Sequence, residues 1–164
     1  MARANPKLRR YTRRAERNPK ERNEIPSLLD NIKSVNTVGR IDLDKYAGIA
    51  DSVVTDEVII TAKQIEHIQT THAGDFEKVA DRLGEIVADP DYVLKDKNNP
   101  DEAVGFKQIE VDGKRARVLL ILQTEERENK KNSIITLQIV GERTLRSNLN
   151  NTKRYEVVYK REGL

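Results

Sequence analysis

Two histidines, His67 and His72, stand five residues apart in the stretch QIEHIQTTH, and they are the only two in the chain. Imidazole is the side chain best suited to taking and giving protons near neutral pH. On a helix, five residues turn about 140° around the axis, so the pair does not share a stripe. It is therefore not the i, i+4 arrangement of a histidine metal site, and HIQTTH is not HExxH. His72 continues the apolar line of Ile65 and Ile68, while His67 points elsewhere. Each also has an ordinary structural explanation. His72 suits a helix C-terminus, where the dipole favours it, and His67 suits an exposed surface.

One chemistry open to such groups is metal-independent cleavage of an RNA phosphodiester by its own 2′-hydroxyl. It needs a base for the hydroxyl proton, an acid for the leaving 5′-oxygen, and a donor or cation to hold the phosphate as charge builds. For these roles the chain offers His67, His72, Lys107, Lys114, Arg115, Arg117, Lys131, Thr136 and Tyr159. In KKNSIIT, Lys130 and Lys131 stand at a strand entrance and Thr136 on the strand's mixed face. The lysines equally suit a solvated turn, and Thr136 is also an ordinary strand residue. Phe76 and Phe106 are the only phenylalanines, so stacking of bases would rest on tyrosines. No cofactor motif is present, and there is no convincing cluster of metal ligands.

These residues need elements to position them. Pro26 and Ser27 mark a helix start, followed by Leu28, Leu29 and Ile32 at helical spacing. GRIDLDKYAGIADSVV reads as a loop with room for a short strand. EVIIT reads as a strand. Thr61 then caps a helix, with Gln64 completing a capping box, and Ala73-Gly74 closes it. Asp75 suits the cap of the next helix. Phe76, Val79, Ala80, Leu83, Ile86 and Val87 recur at helical spacing through Ala88, and Asp89-Pro90 ends the run. Beyond Pro90 the period changes to strands: DYVLKD, two strands around the hairpin signal Asp112-Gly113, NSIITLQIV and RYEVVYK. GERTLRSNLNNTK allows one helical turn and then a loop.

The order of helices first and strands after predicts an α+β fold, with N-terminal helices packed on one face of an antiparallel sheet. Alternation sends Ala116, Val118, Leu120 and Leu122 to one face and Arg115, Arg117, Leu119, Ile121 and Gln123 to the other. In the next strand it assigns Ser133, Ile135, Leu137 and Ile139 to the core.

Charge divides the chain differently. Residues 1–24 carry nine basic and three acidic side chains, a net +6, which leaves −3 for the remainder of a chain whose total is +3. The basic pI therefore describes an arm, suited to phosphates, to an acidic protein surface or simply to solubility. The division expected is an arm at 1–24, a helical or irregular lead-in at 25–56, and an α+β domain at 57–164. No run reaches the roughly twenty apolar residues that span a membrane, and no apolar leader follows the start. With no cysteine, disulfides and thiolate metal sites are excluded.

QIEHIQTTH, ADPDYVLKD, KNSIIT and a terminal YEVVY, in that order, resemble the phage-associated nuclease domains of the barnase, EndoU, colicin and RelE-like group over about Glu57 to Lys160. The resemblance implies helices on an antiparallel sheet, an active site on the exposed sheet face and metal-independent ribonuclease activity without a cofactor. It places His67, His72 and Thr136 in the catalytic site, with Lys107 or Lys114 as its basic residue. Asn132, Lys131, Arg115, Arg117 and Tyr159 would bind substrate. Thr71 stands where arginine is expected. RNA is the partner implied, along with an immunity or carrier protein. The setting implied is the cytoplasm, or delivery with a phage particle or toxin system. The competing classes are a non-catalytic nucleic-acid- or protein-binding module and a phage structural or accessory protein.

Overall fold

The computed structural model describes residues 28–50, 53–109, 113–124 and 130–164. The basic arm assigned to residues 1–24 lies outside these. After a single 3-10 turn at Leu28–Asp30 the elements are β1 (Val35–Arg40), β2 (Glu57–Thr61), α1 (Ala62–Thr71), α2 (Asp75–Val79), a 3-10 turn at Ala80–Arg82 and α3 (Leu83–Ala88). Then follow β3 (Tyr92–Asp96), β4 (Glu102–Gln108), β5 (Arg115–Ile121), β6 (Asn132–Val140), α4 (Glu142–Asn150) and β7 (Tyr155–Lys160).

Seven strands form one sheet in the order β1-β2-β6-β5-β4-β3-β7. The fold is the expected α+β, with one difference: β2 runs parallel to β6, through Val58 opposite Asn132 and Ile59 opposite Ser133. A second difference concerns the lead-in. Val35–Arg40 is an edge strand, paired antiparallel with β2, so the folded unit begins well before Glu57. The start of the helix expected from Pro26 lies outside the described residues, which show only the 3-10 turn before the chain extends from Val35 to pair with β2.

Local chemistry explains the helices. Thr61 accepts from the Gln64 N–H, and the Gln64 side chain returns to the Thr61 N–H, which is the capping box read from the sequence. The long helix expected over Asp75–Ala88 is broken by the 3-10 turn into α2 and α3. Its core face is nonetheless the expected one, with Phe76, Val79, Leu83, Ile86 and Val87 all buried. These residues and Ile65 and Ile68 of α1 form one core with Ala116, Val118, Leu120, Ile134 and Leu137.

The strand NSIITLQIV does not alternate cleanly. Thr136 lies opposite Leu119 and Ile134 opposite Leu120, so Ile135 is a bulge. The bulge reverses the expected faces upstream of it: Ile134, rather than Ser133 and Ile135, joins the core with Leu137. A similar slip falls between Val93 and Leu94 of β3 opposite β7. It sends Tyr159 to the helix side and Tyr155 to the other.

The outer face is not bare. The single turn expected after Gly141 is a nine-residue helix, α4. Leu145 and Leu149, one turn apart, seat it on Leu94, Val104, Phe106, Val140 and Tyr155.

The edge strand β1 packs closely on α3. On β1, a Cβ added at Gly39 would stand 3.3 Å from the Gly84 Cα, and one added at Gly84 would stand 3.1 Å from the Val38 oxygen. The loop after β1 then reaches the opposite edge strand. There a Cβ at Gly48 would meet the Val158 Cβ at 2.7 Å. Tyr46, also in this loop, is buried and donates to the Val87 carbonyl over 2.7 Å.

Candidate active site

Most of the residues singled out by chemistry fall into three groups. The first lies on the outer face. Arg117 of β5 donates from Nε to Asn148 Oδ1 of α4 over 2.9 Å and from Nη2 to the Tyr155 hydroxyl of β7 over 3.2 Å. Its guanidinium carbon stands 6.0 Å from the centre of the Phe106 ring. Arg115, one row along, donates to Glu142 Oε1 over 2.8 Å, and Glu142 also takes Arg146 at 3.1 Å. Lys114 does not share this face: it lies opposite Ile109 of the helix-side core, next to core-facing Ala116 in the alternation, and its ammonium stands 3.9 Å from where a Cβ at Gly141 would be. Thr136 is half-buried on the outer face, opposite Leu119.

The outer face carries two acids as well. Asp96 is buried and paired with Arg154 at 3.2 Å. Burial opposes its ionisation, but the Asn98 N–H, the Asn99 side chain and Arg154 outweigh it and hold the carboxyl below the usual range. Glu102, opposite exposed Ile121, is pushed above the usual range by burial and then by the charge of Asp96.

The second group lies on the helix side. Asp89 at the end of α3 takes Lys45 at 2.7 Å, Lys107 at 3.2 Å and Arg161 at 2.7 Å. Lys107 also stands 3.8 Å from Glu85, and Arg161 bonds Asp91 at 2.7 Å. Lys45 lies over the Tyr159 ring, 5.3 Å from its centre. The hydrogen bond from Lys45, followed by those from Arg161 and Lys107, holds the Asp89 carboxyl far below the ordinary carboxylate range. Lys107 and Tyr159, expected in the same site as Thr136, therefore belong to this ion hub. The cause is register: Lys107 pairs with core-facing Ala116, whereas its neighbour Phe106 pairs with Arg117.

The histidines form the third group. His67 is exposed on α1, and His72 is its half-buried C-cap, with its N–H on the Ile68 carbonyl. Among the described residues no hydrogen bond or ion pair joins either imidazole to Thr136, Lys107 or Lys114. The end of α1 is nevertheless fixed beside the strand that carries Thr136. Asp75, three residues after His72, accepts the N–H of Ile139 over 2.9 Å on the side of β6 not paired with β5.

Two candidates are structural in their contacts. Asn132 is fully buried. Its Oδ1 accepts the Gln123 N–H over 2.7 Å and its Nδ2 donates to the Thr55 carbonyl over 2.8 Å. It ties β6 to the segment before β2 and presents no face to a ligand. Lys131 bonds Glu57 at 2.6 Å at the mouth of the parallel pair.

Residues 36–137 match the family described as phage-Barnase-EndoU-ColicinE5/D-RelE like nuclease3. The chain belongs to this nuclease family. The matched segment runs from β1 into β6, and so takes in the edge strand that the sequence reading set aside as lead-in. No curated protein and no solved structure matches the chain. Among the described residues no helix is long and apolar enough to cross a membrane, and no group of three or more His, Asp or Glu could hold a metal ion.

Asn148 and Tyr155, which hold Arg117, and Glu102, on the same outer face, are residues that the sequence reading did not single out. Leu145 and Leu149, four apart, were the available signal for α4 and hence for Asn148. Tyr155 was visible as a strand residue, but its face depended on a register slip. Nothing local to Glu102 distinguishes it from any other strand-end glutamate.

Proposed function

We propose that this nuclease cleaves RNA by attack of the 2′-hydroxyl on the adjacent phosphate, without a metal ion, leaving a 2′,3′-cyclic phosphate. The observation that carries the reading is the arrangement on the outer face. Arg117 is held by uncharged partners one row from the half-buried Thr136 on the same face. A guanidinium and a hydroxyl are donors of the kind that a phosphate gaining charge requires. RNA supplies its own nucleophile, so the protein need add only the two proton carriers. His67 and His72, on the helix that Asp75 pins to β6, are assigned that role. An immunity or carrier protein, and delivery with a phage particle or toxin system, belong to the same reading through the phage character of the family.

The test sets an RNA oligonucleotide beside its DNA counterpart, each with and without EDTA. Cleavage of RNA alone, unaffected by EDTA and leaving a cyclic phosphate, is the expected result. The His67→Ala, His72→Ala double variant should lose roughly 10²–10⁴ in turnover while remaining folded. Equal cleavage of DNA would overturn the 2′-hydroxyl mechanism, and full activity in the double variant would remove the histidines from it.

A further inference from the structure

The geometry points to Asn148 and Tyr155 as positioning residues that lock Arg117 so that its outer two-nitrogen edge is presented to a phosphodiester of RNA. The inference rests on the proposed ribonuclease reading and names the part of the site that sets its phosphate geometry.

A guanidinium has two edges able to grip a two-oxygen acceptor: the side edge, made by Nε and one terminal nitrogen, and the end edge, made by the two terminal nitrogens. In Arg117 the side edge is engaged, Nε on Asn148 and Nη2 on Tyr155. Phe106 lies under the plane. The three contacts come from α4, β7 and β4, so they restrict the group in direction as well as in position. Nη1 has no acceptor among the described residues, and Nη2 keeps one hydrogen beyond its bond to Tyr155. Together they form an end-on fork whose spacing suits two phosphate oxygens.

The chemistry of the partners is the second part of the argument. Arg115 and Arg154 are each paired with a carboxylate, Glu142 and Asp96. Arg117 is held by an amide oxygen and a phenol. Neutral acceptors fix its orientation without cancelling its charge, which is the condition for a cation meant to receive an anion. Asn148 and Tyr155 both lie beyond residue 137, outside the segment that matches the nuclease family. The lock is thus built by the part of this chain that the family match does not cover.

A positioning role predicts a particular split in the kinetics. Asn148→Ala and Tyr155→Phe should each lower kcat on RNA roughly tenfold to a hundredfold and weaken binding only a few-fold, since misplacing a group by about an ångström is felt mainly in the transition state. Tyr155→Phe removes one hydroxyl and keeps the buried ring, so its fold is retained. Arg117→Lys keeps the charge and removes the fork, and should fall with them. The deciding measurement is a double-mutant cycle. In an Arg117→Ala background, Asn148→Ala should cost nothing further, because there is no guanidinium left to orient. An equal cost in both backgrounds would assign Asn148 a general structural role and overturn the proposal. A second arm titrates a fully 2′-O-methylated oligonucleotide, which binds but has no hydroxyl for attack. If the protein cleaves no RNA, the ribonuclease reading fails, and this arm still tests the lock. A modest loss of affinity, a few-fold and smaller than the loss in kcat, that appears with Asn148→Ala only while Arg117 is present sustains it, and affinity indifferent to Asn148 sinks it.

Discussion

The Asp89 hub and the Arg117 cluster use the same kind of side chain for opposite ends. In the hub, Lys45, Lys107 and Arg161 meet Asp89, Asp91 and Glu85, so each cation has a carboxylate within reach. Its charge is balanced within the protein and serves to clamp the loop after β1 and the segment after β7 to the end of α3. In the outer cluster Arg117 meets an amide and a phenol. It is as firmly placed as any group in the hub, yet its charge is left available. Placement of a cation thus says little about its role until the charge of its partners is known.

The contrast is broken most severely by importing the hub's arrangement into the outer face. Asn148→Asp would put a carboxylate on Arg117 and should leave the fold as stable as before, or slightly more so. Turnover on RNA should nonetheless drop by roughly a hundredfold or more, on the scale of losing one preorganised donor. A thermal melt and a turnover assay on the same preparation check both halves.

The reverse change, Asp89→Asn, removes the hub's central charge. With 42% of the Asp89 side chain exposed, solvent screens its three pairs, and the expected loss is about 1–2 kcal/mol. Turnover of the folded fraction should be unchanged. The same group predicts a pH dependence. Its folded pKa lies below the unfolded value near 4, so its stabilisation is complete above that range. It shrinks as pH falls from there toward the depressed folded value. Denaturant midpoints at neutral and acid pH should converge between the parent and Asp89→Asn, and a constant difference would show that another group carries the effect.

The smallest change probes beyond the edge of the cluster. Lys114→Ala removes an exposed cation near Gly141 and should weaken RNA binding evenly across sequences. It should flatten the slope of log affinity against log salt by about one. An unchanged slope would place Lys114 off the RNA path.

Much of this arrangement was readable before any coordinates. The capping box at Thr61, the buried face of Phe76 to Val87 and the strands on either side of Gly113 all rest on local patterns, and they stand as read. The failures share a cause. Ile134 went to the wrong face because a one-residue bulge at Ile135 resets the alternation, and bulges leave no reliable local mark. Lys107 and Thr136 were grouped by the family resemblance, but which face a residue takes is set by pairing across the sheet. β1 was missed because VNTVGR has few of the features of a strand until β2 lies beside it. Its polar Asn36 is buried only because it bonds the Lys33 and Ile60 carbonyls.

The contact of Gly48 with Val158, and the completion of the hub by Arg161, bear on when the molecule acquires its properties. Contacts between residues 45–48 and 158–161 span well over half the chain, and pairings so distant in sequence form late and slowly. Asn148 and Tyr155 are also translated after every other contact of Arg117. While the ribosome is still making residues 142–161, the growing chain has its first core and its arginine but nothing to aim that arginine. A nuclease assembled in this order leaves Arg117 unheld until synthesis has moved past β7, a delay written into the sequence order of the fold itself.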